Sequence, residues 1–358
     1  MPEERKIPAG MAEFFAKMQA IKAKYGAEMH KAVTLYEDLP CYPVEKVLKL
    51  FELEGQIMRG SEEQREAIAA EYVQLLNGIE KKPDAPEAIY LWPEGKVPTL
   101  TEYTDNSDYR QNHDPDFRPH MFAMLVPEDV TPKGAVVVCP GGNHGSSCIH
   151  EGYQTSLDFV AMGYQAFLLL NRPNNGPWNG QECGADSARA IRYVRANAEK
   201  YRIDPKNVAF AGFSNGGLTG EHCIHYYSGT QTVADHFPGY EPDELDNYYG
   251  APDAFLCVYG PRFNGADFDY TGVVYPPTFF AVGRGDTAMD NLHWMYPSLL
   301  KQGVPVEVHT FAGVPHGKAG DRIKFGGVSQ YPSFELWLPL ADAFMQDVYH
   351  PAPAPSFF

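Results

Sequence analysis

Between residues 134 and 311 the chain switches repeatedly between short unbroken apolar runs and longer stretches with helical spacing. Ala135-Val136-Val137-Val138-Cys139, Tyr164 to Leu170, Asn207 to Ala211, and the runs at 254–259, 278–283 and 305–311 are too short for ordinary helices. They are mostly continuous rather than alternating, which is the pattern of strands buried on both faces. The segments between them repeat apolar residues at three and four residue steps: around 152–162, from Ala185 through Ile191, Val194 and Ala198, from Gly216, and near 332–349. Strands of this kind separated by helices predict an α/β fold, a mostly parallel central sheet with helices on both faces, over residues 134–350.

The flanking segments differ. Residues 1–82 read as an N-terminal helical extension, with Phe14, Phe15, Met18, Ile21, Tyr25 and Met29 on one period. A second run follows Pro43, and Ser61-Glu62-Glu63-Gln64 has the spacing of a capping box that opens a third. Short amphipathic helices cannot each bury an apolar stripe alone. A structural appendage is the first expectation; a lid, or a surface for homo-oligomer formation, are the alternatives. Residues 83–133, rich in Pro, Asp and Tyr, read as a linker and edge strands. Within them, Asn112-His113-Asp114-Pro115-Asp116 with His120 has metal-ligand residue types but no fixed geometry, so a polar loop and no metal are expected. Residues 228–253, with Phe237, Tyr240, Tyr248 and Tyr249, form an insertion that either caps the core or packs on itself.

The chain has 358 residues, 44% of them hydrophobic, enough for one full-size α/β domain with a smaller addition. Its net charge of -17 repels phosphate backbones and argues against a nucleic-acid partner. The start, Met1-Pro2-Glu3-Glu4-Arg5-Lys6, leads into an amphipathic segment rather than a signal-type apolar stretch, and no run is long enough to span a bilayer. A cytoplasmic protein with no membrane partner is expected. Cys41, Cys139, Cys148, Cys183, Cys223 and Cys257 are scattered without a C-x-x-C pair, which favours free thiols.

The chemistry centres on Gly212-Phe213-Ser214-Asn215-Gly216, which follows one strand and opens a helix. A sharp turn there pushes the serine Oγ out at the top of the sheet, and small residues two before and two after avoid the neighbouring backbone. The helix start directs N–H groups toward a developing oxyanion. The run 277–283 ends in Arg284-Gly285-Asp286, and the run 306–311 leads to Val314-Pro315-His316-Gly317. Ser214, Asp286 and His316 thus stand in the order of nucleophile, acid and base. Asp290 is the competing acid, one helical turn on, and His309 within its strand reads as structural. Neutral imidazole can take the serine proton and return it to a leaving group. Oxyanion donors are expected from the N–H of Asn215 and from Gly142 and Asn143 in Pro140-Gly141-Gly142-Asn143-His144-Gly145. Trp178, in a loop at a strand's C-terminal end, is a candidate sugar platform.

Several motifs in order carry a family resemblance over roughly residues 90 to 348: Leu91-Trp92-Pro93-Glu94-Gly95, Cys139-Pro140-Gly141-Gly142, His150-Glu151-Gly152, Asp186 to Arg195, Ile203-Asp204-Pro205, Gly212-Phe213-Ser214 and Pro252-Asp253-Ala254. The chain resembles the acetyl-esterase/lipase branch of the α/β-hydrolases, which includes carbohydrate acetyl esterases and feruloyl-esterase-like proteins. The resemblance implies the α/β-hydrolase fold and ester hydrolysis through an acyl-enzyme, without metal or organic cofactor. Where the family pattern has Gly-Tyr in the oxyanion loop, this chain has Asn143-His144, and Asn215 replaces the usual Ala after the serine. These polar side chains, with His144 at the substrate, fit a hydroxyl-rich ester better than a long lipid chain. A serine peptidase or amidase of the same fold, or a binding protein without catalysis, are the competing functions.

Overall fold

Alternate residues of the central strands face two different cores, and this explains why their sequences are apolar at every position. In the computed structural model, residues 9–101, 117–142, 148–172, 180–261 and 269–352 are described, with side chains from residue 20 onward except those of Lys22 and His30. The strands are β1 (Ile89–Tyr90), β2 (His120–Met124), β3 (Ala135–Cys139), β4 (Gln165–Leu170), β5 (Val208–Phe213), β6 (Ala254–Val258), β7 (Thr278–Gly283) and β8 (Val306–Phe311). The helices are α1 (Ala9–Glu37), α2 (Val44–Arg59), α3 (Glu62–Asn77), α4 (Ile149–Ala161), α5 (Gln181–Ala196), α6 (Ala198–Tyr201), α7 (Asn215–Tyr227), α8 (Val233–His236), α9 (Ala288–Lys301) and α10 (Trp337–Tyr349). The chain divides into two units, residues 1–86 and 87–358.

In the first unit, α1, α2 and α3 share a core of Ile21, Met29, Leu50, Leu53, Ile57, Tyr72 and Leu76. The Ser61 hydroxyl accepts from the Gln64 N–H at 3.4 Å while the Gln64 carboxamide oxygen accepts from the Ser61 N–H at 3.4 Å, a complete capping box.

The second unit is built on one sheet in the order β1-β2-β4-β3-β5-β6-β7-β8. The pairs β1–β2 and β2–β4 are antiparallel and all others parallel. Val137, Cys139, Phe167, Phe210, Cys257, Phe280 and Val282 pack with α5, α7 and α9 through Ile191, Val194, Ile224, Leu292, Met295 and Leu299. Their strand neighbours Val136, Val138, Ala209, Ala211, Leu256, Val258, Phe279 and Ala281 face Phe159 of α4 and Trp337, Phe344 and Met345 of α10. This is the α/β-hydrolase fold, with helices covering both faces and a helical segment ahead of it.

Register places the loops that matter. Cys139 pairs with Gly212, so the loop after β3 emerges beside the turn after β5. Gly283 pairs with Phe311, so the loops after β7 and β8 emerge together. The order β4-β3-β5 reverses direction around β3, and such a switch point opens a crevice at the strands' C-terminal ends.

Among residues 228–253, Phe237 is buried in the core and Tyr240 packs edge-on against Trp92 at 5.8 Å. Asp243 pairs with Arg189 of α5, and Asp246 with Arg192 at 3.0 Å. Tyr248 and Tyr249 stay exposed. None of the six cysteines, all among the described residues, is in a disulfide. Among the described residues no helix is long and apolar enough to cross a membrane, and no group of side chains could hold a metal ion. The segment Asn112 to Asp116 lies outside the described residues.

Candidate active site

Ser214 sits between β5 and α7 with φ 50° and ψ -117°, a backbone conformation that L-residues adopt only when the surroundings enforce it. The enforcement comes from its two glycines. A Cβ on Gly212 would stand 2.4 Å from the Gly216 carbonyl oxygen, and one on Gly216 would stand 2.1 Å from that of Cys139. Any larger side chain would push strand and helix apart, so the turn can be this tight only with glycine at both places. The Ser214 N–H donates to the Val258 carbonyl at 3.1 Å, tying the turn to β6.

The Ser214 hydroxyl lies 2.7 Å from His316 Nε2, and His316 Nδ1 lies 2.7 Å from Asp286 Oδ2. The loop carrying His316 is held against β7: the Gly285 N–H donates to the Val314 carbonyl at 3.1 Å, and a Cβ on Gly283 would meet that same oxygen at 2.1 Å. The Asp286 side chain is fully buried whereas the His316 ring is 44% exposed. A buried carboxylate on Nδ1 fixes the tautomer with hydrogen on Nδ1, leaving Nε2 to accept the serine proton. Asp290 is exposed on the first turn of α9, so Asp286 is the acid that reaches His316. His309 is engaged with Glu307 of its own strand at 2.5 Å.

A cavity of about 490 Å³ opens over Ser214, lined by Gly141, Gly142, Cys148, His150, Glu151, Thr287, His316, Gly317 and Lys324. Gly142 therefore borders the space where a reacting carbonyl would sit. Asn215 is the first residue of α7 and is buried beside Ser214. Asn143, His144 and Trp178 lie outside the described residues.

Two side chains that sequence reasoning did not single out as site residues belong here. Glu151, on the first turn of α4, is buried beneath the cavity; its carboxylate accepts the Gly141 N–H at 2.7 Å and the Tyr259 hydroxyl. Burial raises its pKa to about 7, against the lowering effect of those two donors and of His316 and Lys324. Tyr259, just after β6, has φ 39° and packs edge-on against the His316 ring at 5.1 Å. The only sequence signal for either was the His150-Glu151-Gly152 motif. Burial, with a smaller push from Lys324, lowers the His150 pKa to about 3, so the imidazole on this wall is neutral. Burial likewise pushes the Cys148 thiol up to about 12, which leaves it un-ionised at neutral pH.

Fold and constellation together define an α/β-hydrolase with serine, histidine and aspartate assembled at the sheet's switch point. Within that class, residues 128–224 match the BD-FAE family model. It is 30% identical over 185 residues to endo-1,4-beta-xylanase B of Butyrivibrio fibrisolvens, a match spanning 49% of this chain and only 27% of that protein. An acetyl ester-xyloside bifunctional hydrolase from Caldicellulosiruptor lactoaceticus superposes with a TM-score of 0.56 at 23% identity, covering 74% of this chain and 97% of that one. The propionate-bound thermophilic esterase Est2 of Thermogutta terrifontis gives 0.52 at 20% identity, covering 75% and 97%.

Proposed function

We propose that the chain is a serine carboxylic-ester hydrolase that deacylates a small or carbohydrate ester through an acyl-enzyme. The observation that carries this reading is the relay from Ser214 Oγ through His316 to buried Asp286, each step 2.7 Å, at a strained turn facing an open cavity. His316 Nε2 takes the Ser214 proton as Oγ attacks the ester carbonyl carbon. The resulting oxyanion is met by backbone N–H groups of Gly142, Asn143 and Asn215. Collapse breaks the bond to the alcohol oxygen, and His316 returns the proton to it. Water, deprotonated by His316, then attacks the acyl-serine and releases the acid.

The polar wall of His150, Thr287 and Lys324 supports a hydroxyl-rich substrate. So do the names of the relatives, a xylanase and an acetyl ester-xyloside hydrolase. His144 and Trp178 are assigned to the substrate on sequence grounds. The net charge of -17 supports a protein without a nucleic-acid partner, and the helices of residues 1–82 are read first as a structural appendage, with self-association as the alternative that light scattering of the full chain tests.

A panel of acetyl, feruloyl and long-chain esters, with an aminoacyl-anilide for comparison, tests the function. Turnover of the short or feruloyl esters, abolished in Ser214→Ala, is expected. Preference for long-chain esters overturns the substrate class, and faster anilide cleavage points to a peptidase.

A further inference from the structure

Glu151 is placed where a carboxylate is unfavourable unless it has work to do. It is 5% exposed and its charge is opposed by burial, yet it sits next to the nucleophile's turn and faces no cation within salt-bridge distance among the described residues. What it does have is two donors from two different loops. One is the Gly141 N–H in the loop after β3. The other is the Tyr259 hydroxyl, whose own oxygen accepts the Ala319 N–H at 3.2 Å, three residues beyond His316. Backbone packing repeats the connection: a Cβ on Gly320 would meet the Glu151 carbonyl oxygen at 2.5 Å. A Cβ on Gly141 would stand 2.9 Å from Ser214 Cβ and 3.0 Å from Glu151 Oε2. Gly141 is thus clamped between the nucleophile and the carboxylate.

We propose that Glu151 is a positioning residue for this reaction, its carboxylate setting the spacing between the oxyanion loop at Gly141 and, through Tyr259, the loop that carries His316. The inference rests on the ester-hydrolase reading and adds to it the group that aligns the N–H donors with the base. Oxyanion stabilisation is steep in geometry, and a shift of an ångström is worth about 100-fold in rate. The ionised form is the one that accepts both bonds, so its protonation loosens the clamp. The titratable groups facing it are Tyr259 after β6, His316 on its loop, Lys324 on the turn at Asp321–Phe325, Cys148 at the start of α4 and Cys139 at the end of β3.

The test uses the full chain and p-nitrophenyl acetate. Glu151→Gln retains the size but only one acceptor; Tyr259→Phe retains the ring and removes the bridge. Both are expected to lower kcat by about 10- to 100-fold with KM nearly unchanged, and the double variant is expected to be no slower than Glu151→Gln. Protonation of Glu151 is expected to add its own loss on the acid limb, so log(kcat/KM) falls more steeply with decreasing pH in wild type than in Glu151→Gln. A purely structural role would lower the melting temperature while leaving kcat and the limb's slope as they were, and that result overturns the proposal. If Glu151→Gln does not fold, Tyr259→Phe decides, and an unchanged kcat there overturns it. Ser214→Ala in parallel separates the two claims: turnover surviving in that variant defeats the ester-hydrolase reading itself.

Discussion

Asp286 meets His316 at 2.7 Å through Oδ2 while its other oxygen accepts the Ala288 N–H at 2.8 Å. The carboxylate is therefore pinned at both ends, one oxygen holding the start of α9 and the other orienting the imidazole. Asp286→Asn keeps the shape but offers an amide, which favours the wrong imidazole tautomer. We expect kcat for p-nitrophenyl acetate to fall by about 10⁴-fold with little change in KM. Asp290→Ala, at an exposed position, is expected to stay within about twofold of wild type. Equal losses in the two variants would contradict the assignment.

The fold could be read from the apolar runs because a strand with helices on both sides must be apolar at every position, as Val136 and Val137 show by facing opposite cores. The nucleophile could be read because its turn needs Gly212 and Gly216 at fixed offsets. Glu151 and Tyr259 were not legible as a pair. One lies on the first turn of a helix and the other just past a strand, and nothing local signals that a carboxylate will meet a hydroxyl 108 positions away. Only the arrangement of β3, β5 and β6 brings them together. Helix starts were also blurred: α4 begins at Ile149, ahead of the segment whose apolar spacing marks it, because His150 and Glu151 are polar residues turned into the site.

Gly216→Ala tests the turn. Its Cβ would stand 2.1 Å from the Cys139 carbonyl oxygen, against rigid backbone in β3. A loss of about 3 kcal/mol in urea unfolding is expected. A variant as stable as wild type would mean that the turn is looser than described.

A second stability test lies outside the site. Arg172, 2% exposed, donates through Nε and Nη2 to the Asp186 carboxylate at 2.9 and 2.8 Å, and the Trp92 indole N–H donates to the same group at 2.8 Å. Asp186→Ala removes the carboxylate that holds both groups, leaving the indole N–H without it and the guanidinium with the Pro98 and Glu182 carbonyls and, at 4.0 Å, the Glu182 carboxylate. Destabilisation by about 3–5 kcal/mol is expected from chemical denaturation. A change under about 1 kcal/mol would show that the guanidinium finds another partner.

Burial depresses the folded-state pKa of His222 to about 4, with a smaller contribution from His225. The unfolded chain takes up this proton near pH 6.5, so the stability is present above that pH and is lost as the pH falls toward 4. Glu151, raised to about 7, has the opposite sign between 7 and its unfolded value. The difference between His222→Phe and wild type is therefore the quantity to read. The melting temperature of wild type should fall relative to that of His222→Phe as the pH drops from 6.5 to 4, and parallel curves would contradict the shift.

If Ser214 is the activated nucleophile, a reagent that captures activated serines will find it. The folded full chain is treated with a fluorophosphonate, digested, and mapped by mass spectrometry. One adduct is expected, on Ser214, absent after heat unfolding and absent in Ser214→Ala. No adduct, or an adduct on another residue with Ser214 unmodified, would contradict it.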